Sequence, residues 1–232
     1  MQLFYAPDIA VEQSLSEEES RHAVRVLRVK VNDEINIVDG IGGLYKAVVT
    51  NPNPKRCEFE ITDTIQNFAR KNYRLHIAIA PTKNIERFEW FVEKSTEFGI
   101  DEITPILCRY SERKQLKVER LKKIIISAAK QSLQANFPKI NPLETFEAFL
   151  SRQTDHPCFI AHCYEGAKPL LSSVYQIGDD CTLLIGPEGD FSQDEVESAI
   201  KSDYQPISLG HSRLRTETAG IAACHTIVML NQ

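Results

Sequence analysis

The sequence has 232 residues, of which 42% are hydrophobic and 25% are charged, a balance typical of a globular protein with a buried core. No apolar run approaches the roughly 18–20 residues that a membrane-spanning helix needs. The N-terminal segment "MQLFYAPDIAVEQS" carries acids where a signal peptide has a basic region. Composition therefore argues against a membrane protein, and we expect a cytoplasmic location.

The six cysteines and six histidines are scattered along the chain. No two cysteines have the CxxC spacing, and neither HxxxH nor HExxH occurs. These spacings match no zinc-binding pattern. We therefore expect reduced thiols, as in other cytosolic proteins, and no bound metal.

Strand-like patterns dominate residues 1–70. Three runs alternate polar with apolar positions and are rich in β-branched or aromatic residues. These runs are "EINIVDG" (34–40), "LYKAVVT" (44–50) and "RCEFEITDTI" (56–65). The turn "IGG" separates the first two runs and predicts a hairpin. We predict a small β-barrel domain for this part of the chain.

A short helix is predicted before the hairpin, within "SEEESRHAVRVLRVKVND". Ser16 is followed three residues later by Glu19, which is the capping-box pattern of a helix start. Val24 and Leu27 are the residues of this helix that we expect to contribute to the core.

Strand-like and helix-like segments alternate after a polar linker at 66–73. The predicted strands lie at 74–82, 100–108, 156–164, 181–186 and 205–210. The predicted helices lie at 84–99, 116–133, 192–203 and 215–230. Such alternation predicts an α/β domain over residues 71–232, with a mostly parallel sheet covered by helices on both faces.

One segment is strongly basic although the whole chain has a net charge of −5. From Arg109 to Lys130 there are eight bases and two acids, a net charge of +6. The segment is either an electrostatic footprint for a polyanion or a solvated helix face. Taken alone, this feature favours the solvated helix face.

A glycine loop, Gly186–Gly189, follows the predicted strand at 181–186. It matches neither GxGxxG nor GxxxxGK[ST], and Glu188 would repel a pyrophosphate. Because ligands of open α/β sheets bind beyond the carboxyl ends of the strands, the loop suits a neutral or zwitterionic ligand. The alternative is a plain turn followed by a helix cap at Ser192.

The segment "RLRTETAG" (213–220) places Arg213 and Arg215 at a predicted helix N-terminus. Cations at that end work against the helix dipole, so an anionic partner would explain them better than stability does. The alternative is a cap made by Thr216 or Thr218, with surface arginines beside it.

These motifs together resemble a known family. "LLIGPEG", followed by "SLG" and "LRTETA", closely resembles the ribosomal RNA small subunit methyltransferase E family, the 16S rRNA uridine N3-methyltransferases of the SPOUT superfamily. "RHAVRVLRVKVND" and "PTKNIERFEWFVEKSTEFGIDEITPILCRYSER" resemble its N-terminal and central blocks. The resemblance covers nearly the whole chain in order.

The resemblance implies more than the residue patterns do. It implies a PUA-like β-barrel at 1–70 that grips RNA, and a SPOUT-type trefoil-knotted α/β domain at 71–232 that binds S-adenosylmethionine. It also implies a homodimer with the cofactor site near the subunit interface. The expected activity is methylation of N3 of a uridine in the 16S ribosomal RNA of the small subunit.

The resemblance also implies site residues. The expected cofactor-binding residues are His162, Cys163, Ile185, Gly186, Pro187, Glu188, Gly189, Leu209, Gly210, Leu214, Thr216 and Thr218. The expected RNA-binding residues are Arg25, Arg28, Lys30, Arg109, Arg113, Lys114 and Lys117. Arg215 is the catalytic candidate that would stabilise charge on the uracil. Glu217 would orient Arg215 or accept a proton, or would simply complement the helix dipole.

Two departures from the family pattern stand out. Asp190 follows the Gly-Pro-Glu-Gly loop where the family usually has a second glycine. His211 and Ser212 stand where a proline and an arginine are expected, and Arg213 is the nearest replacement for that guanidinium.

Two alternatives stay open at this point. Another SPOUT enzyme, such as a ribose 2′-O-methyltransferase, would share the fold and the cofactor. A non-catalytic RNA-binding assembly factor would keep the barrel and the basic segment, but it would have no reason to keep both cofactor motifs. An oxidoreductase that binds a nucleotide is disfavoured, because its glycine fingerprint is absent.

Overall fold

The computed structural model of the protein describes residues 2–232. The chain forms two compact units. One contains the chain up to Arg70 together with Ile126–Phe137, and the other contains Lys71–Ile125 and Pro138–Gln232. Among residues 2–232, no helix is long and apolar enough to cross a membrane.

The first unit is built on a four-stranded mixed sheet. Its strands are β1 (Leu3–Tyr5), β2 (Glu34–Val38), β3 (Leu44–Asn51) and β4 (Glu58–Ile65), hydrogen-bonded in that order. The antiparallel β2–β3 hairpin and strand β4 confirm the predictions, whereas β1, which is parallel to β2, is too short to show an alternating pattern. An isolated bridge from Ser14 to Glu58 extends the sheet beyond β4. Among residues 2–232 these pairings leave β1 and β4 at the two edges of the sheet.

The predicted short helix is present as α1 (Glu17–Arg21), and it continues as a π-helical turn, His22–Val26. Ser16 caps it by accepting from the backbone N–H of Glu19. The Glu19 carboxylate does not close a capping box; instead it accepts from Lys130 at 2.5 Å. The expectation that Leu27 joins the core was wrong, because 36% of this residue is exposed.

The second unit contains the predicted parallel sheet. Its strands are β5 (Leu75–Ile79), β6 (Glu102–Leu107), β7 (Lys139–Ile140), β8 (Glu144–Thr145), β9 (Cys158–Ala161), β10 (Cys181–Ile185) and β11 (Tyr204–Ile207). The main order is β11-β9-β10-β5-β6-β7, and β8 pairs with β6. All of these pairings are parallel, which confirms the prediction.

The remaining helices are α2 (Ile85–Phe98), α3 (Val118–Gln131), α4 (Phe146–Leu150), α5 (Leu171–Val174), α6 (Gln193–Lys201) and α7 (Thr216–Leu230). Sequence patterns missed α4 and α5, which are too short to show a helical period. In α2, Phe88 and Phe91 are buried and Gly99 ends the helix with a φ of 84°. A Cβ at Gly220 of α7 would lie 2.6 Å from the Phe91 ring, so glycine there permits close packing of α7 on α2.

The sheet order positions the functional loops. Because β11, β9 and β10 are neighbours and parallel, the loops that follow them leave the sheet at the same edge. The loop after β10 ends at α6, where Ser192 and Glu195 form a complete capping box. The edge at which these three loops meet is the place where an open α/β sheet binds its ligand.

Candidate active site

The loops after β9, β10 and β11 enclose a cavity of about 730 Å³ within the second unit. Its lining includes most of the predicted cofactor residues. Those that line it are His162, Cys163, Ile185, Gly186, Pro187, Glu188, Leu209, Gly210, Leu214 and Thr216. Arg215, the catalytic candidate, lines the same cavity. Loops that are far apart in sequence therefore converge on one concave site.

Two residues of the predicted cofactor set are not part of the lining. Gly189 faces Tyr110 instead, because a Cβ at this glycine would lie 3.0 Å from Cβ of Tyr110. Thr218 is exposed on the first turn of α7. Close packing against Tyr110, and not a contact with the cavity, explains the glycine at position 189.

The carboxylates of the Gly-Pro-Glu-Gly-Asp loop bind main-chain N–H groups. Glu188 accepts from the backbone N–H of Lys83 at 2.8 Å, which joins this loop to the segment after β5. Asp190 accepts from the N–H groups of Cys163 and Phe191 at 2.7 and 2.8 Å. Both acids therefore help to build the cavity wall.

The third loop leads into α7. Gly210 has a φ of 131°, a conformation that glycine adopts most readily. Arg215 is the N-cap residue of α7, and its side chain makes no capping hydrogen bond. The alternative in which Thr216 or Thr218 caps this helix was therefore wrong. The guanidinium of Arg215 is exposed at the cavity, where it is available to a ligand.

The loop after β9 contributes two uncharged groups to the wall. Burial lowers the pKa of His162, and the nearby charge of Lys168 lowers it further. Nδ1 of His162 is buried and has no hydrogen-bond partner among residues 2–232. Burial and the charge of Asp190 raise the pKa of the Cys163 thiol. Near neutral pH the wall presents a neutral imidazole and a neutral thiol.

Charges of both signs surround the cavity. Lys168, Arg213 and Arg215 supply cations, and Glu188 and Asp190 supply carboxylates. A wall of this kind suits a zwitterionic ligand, because it can pair with an anionic and a cationic group of the same molecule. It does not suit a polyphosphate.

Glu217 lies outside the residues that line the cavity. Its side chain is 8% exposed, and its Oε1 lies 3.8 Å from Nε of Arg87 on α2. Its Oε2 is buried, and within the described part of the chain (residues 2–232) it has no hydrogen-bond partner. The expected orienting contact with Arg215 is replaced by this ion pair with Arg87.

The predicted RNA-binding residues differ in how freely their side chains are presented. Arg113 is used internally: its guanidinium donates to the carbonyls of Thr82, at 3.0 Å, and Lys83, at 2.6 Å. Arg109 lies 3.4 Å from Asp194 in an exposed ion pair. The others are exposed and have no side-chain ion pair among residues 2–232. They are Lys114 and Lys117 in the second unit, and Arg25, Arg28 and Lys30 in the first.

Sequence reasoning missed some cavity residues. Lys168 lies beyond β9 in a segment with no motif, so no sequence signal pointed to it, whereas Gly166 ends the loop after this strand, where an open α/β sheet binds its ligand. Asp190 was visible only as a departure from a glycine pattern. Its contacts show why that position matters to the cavity.

The chain matches two family models. The model of the RNA methyltransferase domain matches residues 69–228, and the model of the RNA methyltransferase PUA domain matches residues 15–62. The chain is 29% identical over 207 residues to the ribosomal RNA small subunit methyltransferase E of Rickettsia conorii, covering 88% of this chain and 84% of that protein.

Solved structures agree with these matches. A crystal structure of a probable rRNA-methyltransferase from Porphyromonas gingivalis is 42% identical with a TM-score of 0.95, covering 100% of this chain and 98% of that one. A crystal structure of a ribosomal RNA small subunit methyltransferase E from Neisseria gonorrhoeae, bound to S-adenosyl methionine, is 27% identical with a TM-score of 0.87. It covers 100% of this chain and 98% of that one.

Proposed function

The chain belongs to the RNA methyltransferase family, within its ribosomal RNA small subunit methyltransferase E group, and we propose that it methylates small-subunit ribosomal RNA with S-adenosylmethionine as donor. The observation that carries this proposal is the cavity after β9, β10 and β11, which gathers most of the residues of two cofactor motifs. The finer assignment, N3 of a uridine in 16S RNA, follows from the resemblance and is part of the proposal.

The residues of the cavity fit S-adenosylmethionine. The ligand is a zwitterion with an added sulfonium charge, and the wall offers both carboxylates and cations to it. Nδ1 of His162 is buried without a partner, so a polar atom is available for a ligand at this wall. The loop at Gly186–Gly189 would hold the adenosyl part, and Leu209 and Gly210 would belong to the next cofactor loop, as the resemblance implies. When bound, the cofactor supplies a methyl group that is already activated by the sulfonium.

Arg215 would act on the nucleobase. N3 of a uridine carries a proton at neutral pH, and losing that proton during methylation puts negative charge on the uracil oxygens. Arg215 lines the cavity, is always protonated and presents a rigid fork of donors. It would stabilise that charge while the loops hold the reacting groups in line. Glu217, buried against Arg87, would hold α7 in place beneath Arg215.

The domain at 71–232 would carry out the transfer, and the domain at 1–70 would hold RNA. The exposed cations Lys114, Lys117, Arg25, Arg28 and Lys30 would bind phosphates. The target uridine would have to leave its stack to reach the cavity, as in other enzymes that modify bases.

The assembly is also part of the proposal. Met229 on α7 and Trp90 on α2 are exposed to 52% and 43% although both are apolar. The homodimer itself follows from the resemblance. The resemblance further implies a trefoil knot in the C-terminal domain and, because the substrate is ribosomal RNA, a cytoplasmic location.

The test is methyl transfer from labelled S-adenosylmethionine to small ribosomal subunits from a strain that lacks this gene. Nucleoside analysis of the product would follow. 3-Methyluridine is expected, and it would establish the donor, the reaction and the substrate class together. A ribose-methylated product would contradict the chemistry but not the cofactor. No transfer, with no thermal stabilisation by S-adenosylhomocysteine, would overturn the proposal.

A further inference from the structure

Asp190 occupies a backbone conformation that favours glycine. Its φ is 64°, in the left-handed region that few side chains adopt without strain. Glycine would adopt the same angle at no steric cost. The backbone conformation of the turn therefore does not explain why an aspartate stands here. The hydrogen bonds of its side chain do explain it.

The carboxylate of Asp190 joins two separate loops. One oxygen, Oδ2, accepts from the N–H of Cys163 at 2.7 Å, in the loop after β9. The other, Oδ1, accepts from the N–H of Phe191 at 2.8 Å. The N–H of Asp190 donates to the carbonyl of Pro187 at 2.9 Å, which closes the turn after β10. One side chain thus ties together two walls of the cavity.

The sheet does not hold these loops together by itself. The last backbone pair of β9 and β10 is Ala161 with Ile185, and the loops continue beyond it. A second link joins them, from the hydroxyl of Tyr164 to the carbonyl of Phe191 at 2.7 Å. Of the two, only the link through Asp190 is charge-assisted, and hydrogen bonds to an ionised acceptor are the stronger kind.

We propose that Asp190 is a positioning residue that holds the His162–Cys163 loop against the Gly186–Gly189 loop and so presets the cavity for S-adenosylmethionine. The inference rests on the proposed function, because it concerns the same cavity. A preset cavity binds its ligand without first having to order two loops. Losing the link should weaken binding of the cofactor while the fold stays intact.

Three variants separate this role from a general effect on folding. Asp190→Gly removes the link between the loops and also relieves the backbone strain of the positive φ. Asp190→Asn keeps one acceptor oxygen without the charge. Asp203→Gly is the matched control, since Asp203 has a φ of 65°, is exposed and lies at the other end of β11, outside the cavity lining.

The measurements are the thermal midpoint of the ligand-free protein, the Kd for S-adenosylhomocysteine by calorimetry, and KM and kcat for S-adenosylmethionine. For Asp190→Gly we expect an unchanged midpoint within a few degrees, a roughly tenfold weaker Kd and a raised KM, with a smaller change in kcat. The Kd and KM of Asp190→Asn should lie between those of Asp190→Gly and those of the wild type. Asp203→Gly should bind like the wild type.

The outcomes separate this inference from the proposed function. If the wild type fails to bind S-adenosylhomocysteine, the proposed function itself is wrong. If the wild type binds and Asp190→Gly binds within twofold of it, only the positioning role is overturned. If Asp190→Gly does not fold, Asp190→Asn decides, and an unchanged affinity in that variant overturns the inference.

Discussion

The carboxylate of Glu217 lies 3.8 Å from Nε of Arg87 and has a second oxygen buried without a hydrogen-bond partner. This contact places Glu217 in the packing of α7 on α2. It therefore matters for whether Glu217 acts as the proton acceptor of the reaction.

Glu217→Gln tests that placement. Because the side chain keeps its size and loses only a long ion pair, we expect the free energy of unfolding to change by less than about 1 kcal/mol. Methyl transfer should stay within about threefold of the wild type, because the residue does not line the cavity. Urea unfolding and the transfer assay measure the two effects. A hundredfold loss of transfer with unchanged unfolding would instead assign Glu217 the role of proton acceptor.

Arg215→Ala should lower the rate of transfer by about 10²–10³-fold without unfolding the protein. The side chain is exposed and makes no capping bond, so little stability depends on it. Removing a single charge-stabilising donor typically lowers kcat by about 10²–10³-fold. Arg215→Lys should recover only part of the activity, because an ammonium lacks the planar fork. Normal activity in the alanine variant, at an unchanged thermal midpoint, would refute the catalytic assignment.

Alanine substitutions of Arg113 and Lys117 should have opposite effects on stability and on the salt dependence of RNA binding. Arg113 donates to the carbonyls of Thr82 and Lys83, so Arg113→Ala should lower the free energy of unfolding by about 1–3 kcal/mol. It should leave the salt dependence of RNA binding nearly unchanged. Lys117 is exposed, so Lys117→Ala should keep stability and reduce the slope of log K against log salt by about 1.

Affinity for a small-subunit RNA fragment at several salt concentrations, alongside urea unfolding, checks both variants. Lys114→Ala provides a second exposed lysine for comparison. If Arg113→Ala lowers the salt slope as Lys117→Ala does, the guanidinium binds phosphate after all.

Stability should fall in mild acid because of His76. Burial lowers the pKa of this imidazole to about 4, whereas in the unfolded chain it is about 6.5. Between these values the unfolded state binds a proton that the folded state does not. The free energy of unfolding should therefore decrease as the pH falls from about 6.5 towards 4, by at most about 3 kcal/mol.

His76→Gln should flatten that dependence. Glutamine can keep a hydrogen bond like the one that joins Nε2 of His76 to Oγ1 of Thr104 at 2.7 Å, but it does not titrate. Urea unfolding at a series of pH values from 7 to about 4.5 gives the slope of the free energy of unfolding against pH for the wild type and for the variant. Parallel curves for the wild type and the variant would show that His76 is not the group responsible.

Elements with strong local signals were predicted well. The start and end of α2, at Asn84 and Gly99, depend on contacts within one or two turns. The capping box of Ser192 and Glu195 at α6 is equally local. By contrast, β1, α4 and α5 have three, five and four residues, and segments of that length carry no readable period.

The residues of the site likewise divide into those that local motifs predicted and those that only long-range contacts determine. The motifs around Gly186 and Leu214 were recognisable in the sequence, because each occupies one continuous stretch. The bond from Asp190 to Cys163 spans 27 positions, and the bonds from Arg113 to Thr82 and Lys83 span 31 and 30. Such contacts depend on which strands are neighbours, and residue patterns do not encode strand order.

The sequence by itself determined the fold class, the parallel sheet and the stretches that carry chemistry, since hydrophobic periodicity and capping act over a few residues. Only the tertiary structure decided which side chains face the cavity. It placed Arg215 in the lining, buried Glu217 against Arg87 and used Asp190 to join two loops. The reason is physical: the order β11-β9-β10 brings distant loops to one edge, and their side chains pair there according to distance and burial.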